Sequence, residues 1–398
     1  MKNGTNFVPG LEGIVAAETR LSHVDGLAGE LIIGGFPLAE LAANATFEET
    51  VYLLWHGRLP TTPELSTFKQ QLATHRHLPP ATLALLKAAA AENAPTMDAL
   101  RIGVGTLSLG MSEGGDVEMR RLTDSGNLPI AQFPGNSLAF AILARFPTIV
   151  AAYWRYLHGQ EPIAPRPELG QAANFLYMLT GAQPGAALVR GLETYLNTVV
   201  DHGLNASTFA ARVIIATNSD LVSAVTGAVG ALKGSLHGGA PGPALDMVFE
   251  IGSAENAEPF LRAKLEAGER LMGFGHRVYK VRDPRAEVLA KAAEKLYAAD
   301  GDKALYELAK TVEQTAVTLL AEYKPGRNLQ TNVEFYTALL LHGLGLDTAL
   351  FTPTFAVSRV AGWIAHCLEQ QRYGRLIRPQ SAYIGEKGLT WQPAAVRG

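Results

Sequence analysis

The chain has 398 residues, 47% hydrophobic and 18% charged, with a formal net charge of −3. That composition is globular and the length favours two domains over one, while near-neutrality with no long basic run excludes wholesale nucleic-acid binding and leaves only a local basic pocket for any anion. A lone cysteine, Cys367, excludes an intrachain disulfide and a thiolate metal cluster, and in its apolar setting it reads as a small buried hydrophobe.

The first residues, Met1 to Phe7, lack the apolar core of a secretory signal. No apolar run reads as long enough to span a bilayer, so a soluble cytoplasmic protein is expected. Residues 9–36 are turn-rich, and Asp25-Gly26 ahead of Leu31-Ile32-Ile33 predicts one small hairpin. Thr46 and Glu49 form a capping box before Val51, and Gly57 followed by Pro60 ends that helix. Thr62-Pro63-Glu64 signals the next start, ahead of 65–75. Residues 110–136 carry five glycines and two prolines and read as a long surface loop. Residues 137–158 are apolar around Pro147, which predicts two short helices or one kinked one.

A proline-rich connector, Gly159 to Pro167, leads into helical runs near 168–180, 185–201, 205–217 and 219–232. In 302–323, Leu305, Leu308, Val312, Ala316, Leu319 and Tyr323 recur at three- and four-residue steps, an amphipathic helix. Further helices are expected near 333–344 and 353–371, with an extended tail from Arg375 to Ile384. The expected fold class is all-α, with small β pieces at the N- and C-terminal ends.

Chemistry concentrates between Met272 and Arg285. Gly273 and Gly275 bare the backbone around Phe274, and His276 is followed by Lys280, Arg282 and Arg285. Such a loop suits an anionic molecule whose carbonyl needs a proton donor; a simple turn with a capping histidine is the plain alternative. His202 stands at a helix break, and His237 lies in a run of small residues just before a helix beginning near Gly242. A histidine before a helix N-terminus is pushed toward the neutral form, which can donate to a developing enolate oxygen. No histidine pair has the spacing of a helical metal site, and there is no H-E-x-x-H, C-x-x-C or phosphate-loop motif. Glu334 opens an apolar helix beside Phe335 and Tyr336, as a catalytic base or a first-turn glutamate matched to the helix dipole. Arg359, alone in an apolar helix, calls for a carboxylate partner. Arg378 precedes a proline in the tail. Guanidinium groups bind carboxylates bidentately, so the arginines fit a dicarboxylate.

Taken in order, Gly10 to Gly13, Ser22 to Gly26, Asp201 to Ser207, Gly234 to Gly239, the 273–285 block, Asn332 to Tyr336, and Phe351 to Arg359 resemble citrate synthase, especially its shorter bacterial and archaeal type. The resemblance spans Gly10 to Ile384. It implies a mostly helical homodimer with no permanently bound cofactor, in which acetyl-CoA and oxaloacetate meet in a cleft beneath a small mobile domain. The large domain would cover 1–218 and 329–398, and the small one 219–328. By the same resemblance, His237 polarises the thioester carbonyl while Glu334 removes a methyl proton, and His276 protonates the oxaloacetate carbonyl. His202, Arg285 and Arg359 hold oxaloacetate, and Arg378 reaches it from a partner subunit. Leu271, Met272, Gly273, Phe274 and Gly275, with Lys280 and Arg327, lie against coenzyme A. The family's usual base is aspartate, so Glu334 is a departure. A 2-methylcitrate synthase using propionyl-CoA, and a weakly catalytic paralogue that binds coenzyme A or dicarboxylates, are the competing readings.

Overall fold

The computed structural model describes residues 7–109, 137–238, 241–300 and 302–396; the loop expected at 110–136 lies outside them. β1 (Ser22–Asp25), β2 (Glu30–Ile33) and β3 (Phe36–Pro37) form an antiparallel sheet in that order, with Ser22 opposite Ile33 and Asp25 opposite Glu30. The hairpin turns at Asp25, whose carboxylate accepts from the Leu27 and Ala28 amides.

The helices follow in chain order: α1 (Leu38–Asn44), α2 (Phe47–His56), α3 (Thr62–Thr74), α4 (Pro80–Ala91), α5 (Thr96–Gly105), α6 (Ser137–Leu157), α7 (Gln171–Thr180) and α8 (Ala186–Val199). Then come α9 (Ala206–Ile215), α10 (Leu221–Leu232), α11 (Pro241–Ile251), α12 (Ala254–Glu266), α13 (Pro284–Asp300), α14 (Lys303–Tyr323), α15 (Val333–Gly343) and α16 (Phe351–Tyr373). The all-α expectation holds, and the N-terminal hairpin is where it was expected. Among the described residues no strand forms in the tail, where Arg375 to Ile384 is irregular.

Local chemistry explains the boundaries. Thr46 and Glu49 cap α2 reciprocally, and Gly57 ends it in the left-handed region at φ 73°. The α3 box uses Thr61, one residue earlier than expected, because Glu64 reaches back to the Thr61 amide and leaves Thr62 helical. Pro147 lies within one continuous α6. That helix is long and apolar enough to cross a membrane by length and composition, where the sequence reading expected no apolar run of that length. Most of it is buried against α4, α5, α7 and α16 as a core helix. α16 is buried nearly all round, with Trp363, Cys367 and Ile364 at 0% exposure, and forms the central post on which α6, α8 and α9 lean.

The post and the break between α8 and α9 fix one wall of a cleft. The opposite wall is built by 271–285 and by the start of α15. α15 packs chiefly on α13 and α11.

Candidate active site

The 272–283 loop is stitched to the segment before α15. Phe274 and Thr331 form an antiparallel bridge, Gly275 donates to the Gln330 carbonyl at 2.7 Å, and Asn332 donates to the Gly273 carbonyl at 3.0 Å. The Asn332 side chain donates to the Gly275 carbonyl and accepts from the Glu334 amide, so one residue ties the His276 loop to the helix carrying Glu334. Gly273 has φ 87°, and a Cβ there would lie 2.9 Å from Phe335 Cβ. Glycine is therefore required twice over at this position. On its other side the loop meets the β1–β2 turn, where Lys280 donates to the Gly26 carbonyl.

This framework orients His276. Its Nδ1 accepts from both the Val278 and Tyr279 amides at 3.0 Å. The neutral ring therefore carries its proton on Nε2. Nε2 lies 3.2 Å from Arg285 Nη2, also a donor. Two donors converging in this way make a seat for an oxygen acceptor. His202 is close by: the two imidazoles are 6.0 Å apart and edge-on, and His202 Nε2 is 3.1 Å from the Tyr279 hydroxyl. Burial, reinforced by Arg285 and Arg359, holds His202 well below the usual imidazole range. Burial and then Arg285 bring His276 down to about 4. Both rings are neutral at pH 7.

His237 stands against the first turn of α9. Its Nε2 is 2.8 Å from Ser207 Oγ and accepts from the Ser207 amide at 3.3 Å, in the first turn of α9. Ser207 is fixed in turn by Trp363 Nε1, which donates to its oxygen at 3.0 Å, and by Asn205, the α9 N-cap. The helix terminus that His237 faces is thus that of α9; the sequence pointed instead to the helix following the histidine. In the tautomer that accepts the Ser207 amide, the proton is on Nδ1. Burial, then the charge of Arg359, lowers His237 to about 4.

The two buried arginines differ. Arg285 is clasped by Asp283 through Nε at 3.0 Å and Nη2 at 2.8 Å. Burial alone would lower its pKa, but Asp283 outweighs it and the net shift is upward. Arg359, 1% exposed, donates Nε to the Val199 carbonyl at 2.7 Å and lies 4.5 Å over the Phe355 ring. Among the described residues no carboxylate stands within ion-pair distance of it, against the partner anticipated from sequence. Burial lowers its pKa to about 10, partly offset by the more distant Asp201.

Asp201, fully buried, belongs to a chain of contacts the sequence did not reveal. It accepts from the Ser22 hydroxyl at 2.5 Å and lies 3.1 Å from His366 Nε2. His366 Nδ1 meets Arg212, which also binds Glu369 at 2.8 Å and Gln370 at 3.0 Å. Glu369 accepts the Arg20 amide, and Gln370 donates to the Arg375 carbonyl. His366 and Arg212 stood in the sequence as ordinary helical residues; only the fold pairs them.

Glu334 is half-buried. Its carboxylate makes no hydrogen bond or ion pair among the described residues, and burial raises its pKa, with Arg285 opposing. Such a group is a ready proton acceptor. Leu271 is buried, Met272 and Phe274 are half-buried, and Lys280 and Arg327 are exposed at the rim. Asn328 links that rim by donating to the Lys280 carbonyl. Arg378 is exposed in the tail, and within one chain it is not brought to the cleft. Among the described residues no group of three or more histidine, cysteine, aspartate or glutamate side chains could hold a metal ion.

The model of the citrate synthase C-terminal domain matches residues 10–380. Citrate synthase 2 of Bacillus subtilis is 44% identical over 388 residues, covering 98% of each chain. A 2-methylcitrate synthase of Mycobacterium tuberculosis is 39% identical over 381 residues, covering 95% of this chain and 90% of that protein. Among solved structures, the ternary complex of citrate synthase from Thermoplasma acidophilum with carboxymethyl coenzyme A and oxaloacetate superposes with a TM-score of 0.84. It is 28% identical and covers 98% of this chain and 99% of its own. Sequence and backbone agree over essentially the whole length, and the chain belongs to the citrate synthase family.

Proposed function

We propose that the protein condenses acetyl-CoA with oxaloacetate and water, giving citrate and coenzyme A. The observation that carries this reading is Arg359, a buried guanidinium with no carboxylate within ion-pair distance among the described residues, whose charge is felt by the neutral rings of His202 and His237. A buried guanidinium outside any ion pair, with converging donors beside His276, suits a small anion. Arg359, Arg285 and His202 hold the oxaloacetate carboxylates. His237 directs its Nδ1 proton to the thioester oxygen while Glu334 takes a methyl proton. The enol carbon attacks the oxaloacetate ketone, and the ketone oxygen takes the Nε2 proton of His276. Water then cleaves the citryl thioester, releasing the thiol.

Coenzyme A lies along 271–275, with Lys280 and Arg327 offering cations at the rim. Two copies assemble so that Arg378 of one completes the site of the other. The exposed tail supports this, since it carries Leu376, Tyr383, Ile384 and Trp391 on its surface. The domain that moves begins near 219. It runs to about 328, and the stitching of the His276 loop to Asn332 joins its end to α15. We place the enzyme in the cytoplasm.

Propionyl-CoA is the alternative thioester, kept open by the 2-methylcitrate synthase relative; one methyl is worth only about 1–3 kcal/mol of discrimination. Thiol release from each thioester, with and without oxaloacetate, tests both readings. Oxaloacetate-dependent release that Glu334→Gln abolishes is the expected result, and the acyl-CoA ratio selects the product. Oxaloacetate binding with no release from either thioester would leave only the binding paralogue.

A further inference from the structure

We infer that Glu313 is a positioning residue for this condensation, fastening the loop that carries His276 and Arg285 to the helix that carries Glu334. The inference rests on the reaction proposed above. Glu313 lies on the inner face of α14 and is 7% exposed. Its Oε2 accepts from the Tyr336 hydroxyl at 2.5 Å, and its Oε1 stands 2.9 Å from Arg282 Nη1. The Arg282 guanidinium also lies 5.9 Å from the centre of the Tyr336 ring, closing a triangle of three side chains. Arg282 immediately precedes Asp283, the carboxylate that clasps Arg285, and Tyr336 stands two residues beyond Glu334.

The backbone bridge at Phe274 and Thr331 fixes the near end of the loop, and the Glu313 triangle fixes its far end. One arm is a hydrogen bond. The other is a pairing of charges, since Glu313 Oε1 and Arg282 Nε are buried without an aligned hydrogen bond. A buried carboxylate in this arrangement is strongly committed to both partners, because releasing either leaves it desolvated and unpaired. Glu313 is bound instead to groups flanking the acid and the base, so its effect is on their separation. An error of about 1 Å in such a separation costs up to about 10²-fold in rate.

The test compares wild type, Glu313→Gln, Tyr336→Phe and the double variant in oxaloacetate-dependent thiol release, with thermal unfolding followed in parallel. Glutamine keeps the shape and an acceptor for Tyr336 but removes the nearer of the two carboxylates paired with Arg282, leaving Glu287 at 3.4 Å. We expect kcat per folded site to fall about 10- to 100-fold for Glu313→Gln, with the KM for acetyl-CoA nearly unchanged, well below the unfolding midpoint. The double variant should be little slower than Glu313→Gln, since both substitutions open one triangle. Should Glu313→Gln fail to fold, Tyr336→Phe carries the test with a smaller loss of kcat alone. Wild-type kcat in the variants, activity lost only in proportion to unfolded protein, or fully additive losses would overturn the clamp while the reaction stands. A wild-type chain without oxaloacetate-dependent release overturns the reaction, and the clamp with it.

Discussion

The two walls of the cleft each bury an arginine, and they treat its charge in opposite ways. On the loop wall, Arg285 is balanced at once by Asp283, whose amide donates to the Thr331 carbonyl. On the helical wall, Arg359 has a carbonyl and a phenyl ring for company. The first arrangement is self-sufficient, and it builds structure. The second is unfinished; on the proposed function its missing partner is an anion from solution. Burial of a charge without a counter-charge opposes folding, so on that reading the helical wall gives up stability in the empty protein and regains it when a dicarboxylate arrives.

Breaking the loop-wall pair should have the largest effect. Arg285→Leu leaves Asp283 buried and alone, and a loss of about 3–5 kcal/mol in unfolding free energy is expected from urea titration. Arg359→Leu sharpens the contrast. Its unfolding free energy should be unchanged or higher, while oxaloacetate affinity measured by calorimetry falls about 10- to 100-fold, the worth of a charged hydrogen bond of about 1.5–3 kcal/mol. Equal destabilisation by the two substitutions would abolish the distinction. Gly273→Ala strains only the loop wall, through a positive φ and a contact with Phe335. A roughly tenfold fall in kcat is expected for a displacement of well under an ångström, with oxaloacetate affinity nearly retained.

The smallest effect is on pH dependence. His237 and His276 titrate at about 4 when folded and near 6.5 when unfolded. The unfolded chain therefore binds more protons between those values. Their contribution to stability is complete above 6.5 and is lost as pH falls through 4. Glu193, raised to about 7 by burial, acts with the opposite sign. Its contribution is present below the unfolded value of 4.5 and lost as pH rises through 7. His276→Asn should flatten the decline of Tm between pH 6.5 and 4 relative to wild type, without altering the Glu193 limb.

Much of this was legible before any coordinates. Capping boxes, glycine stops and the three-four period located most helices, because those signals are local. The glycine-flanked His276 announced a loop, and the Asn332 to Tyr336 run announced its partner. What escaped were pairings made by distance in space. Nothing in the chain says that Ser207 will face His237, or that Arg212, His366 and Asp201 will meet 154 and more positions apart. Arg359 shows the limit most sharply: a buried charge implied a carboxylate, and the rule holds only if the carboxylate is allowed to be a ligand. Pro147 left two short helices or one kinked helix open, and the single-helix alternative is the one found.

The contacts around Asp201 have a practical consequence for handling the protein. Glu369 grips the Arg20 amide and Gln370 grips the Arg375 carbonyl. The incoming and outgoing ends of the chain are thereby bolted to the same frame that supports His202. A fluorophore attached just outside either bolt would ride on that frame as a fixed reference mark. A partner dye on the exposed face of α12 would then turn movement of the opposite wall into a change of distance readable by energy transfer.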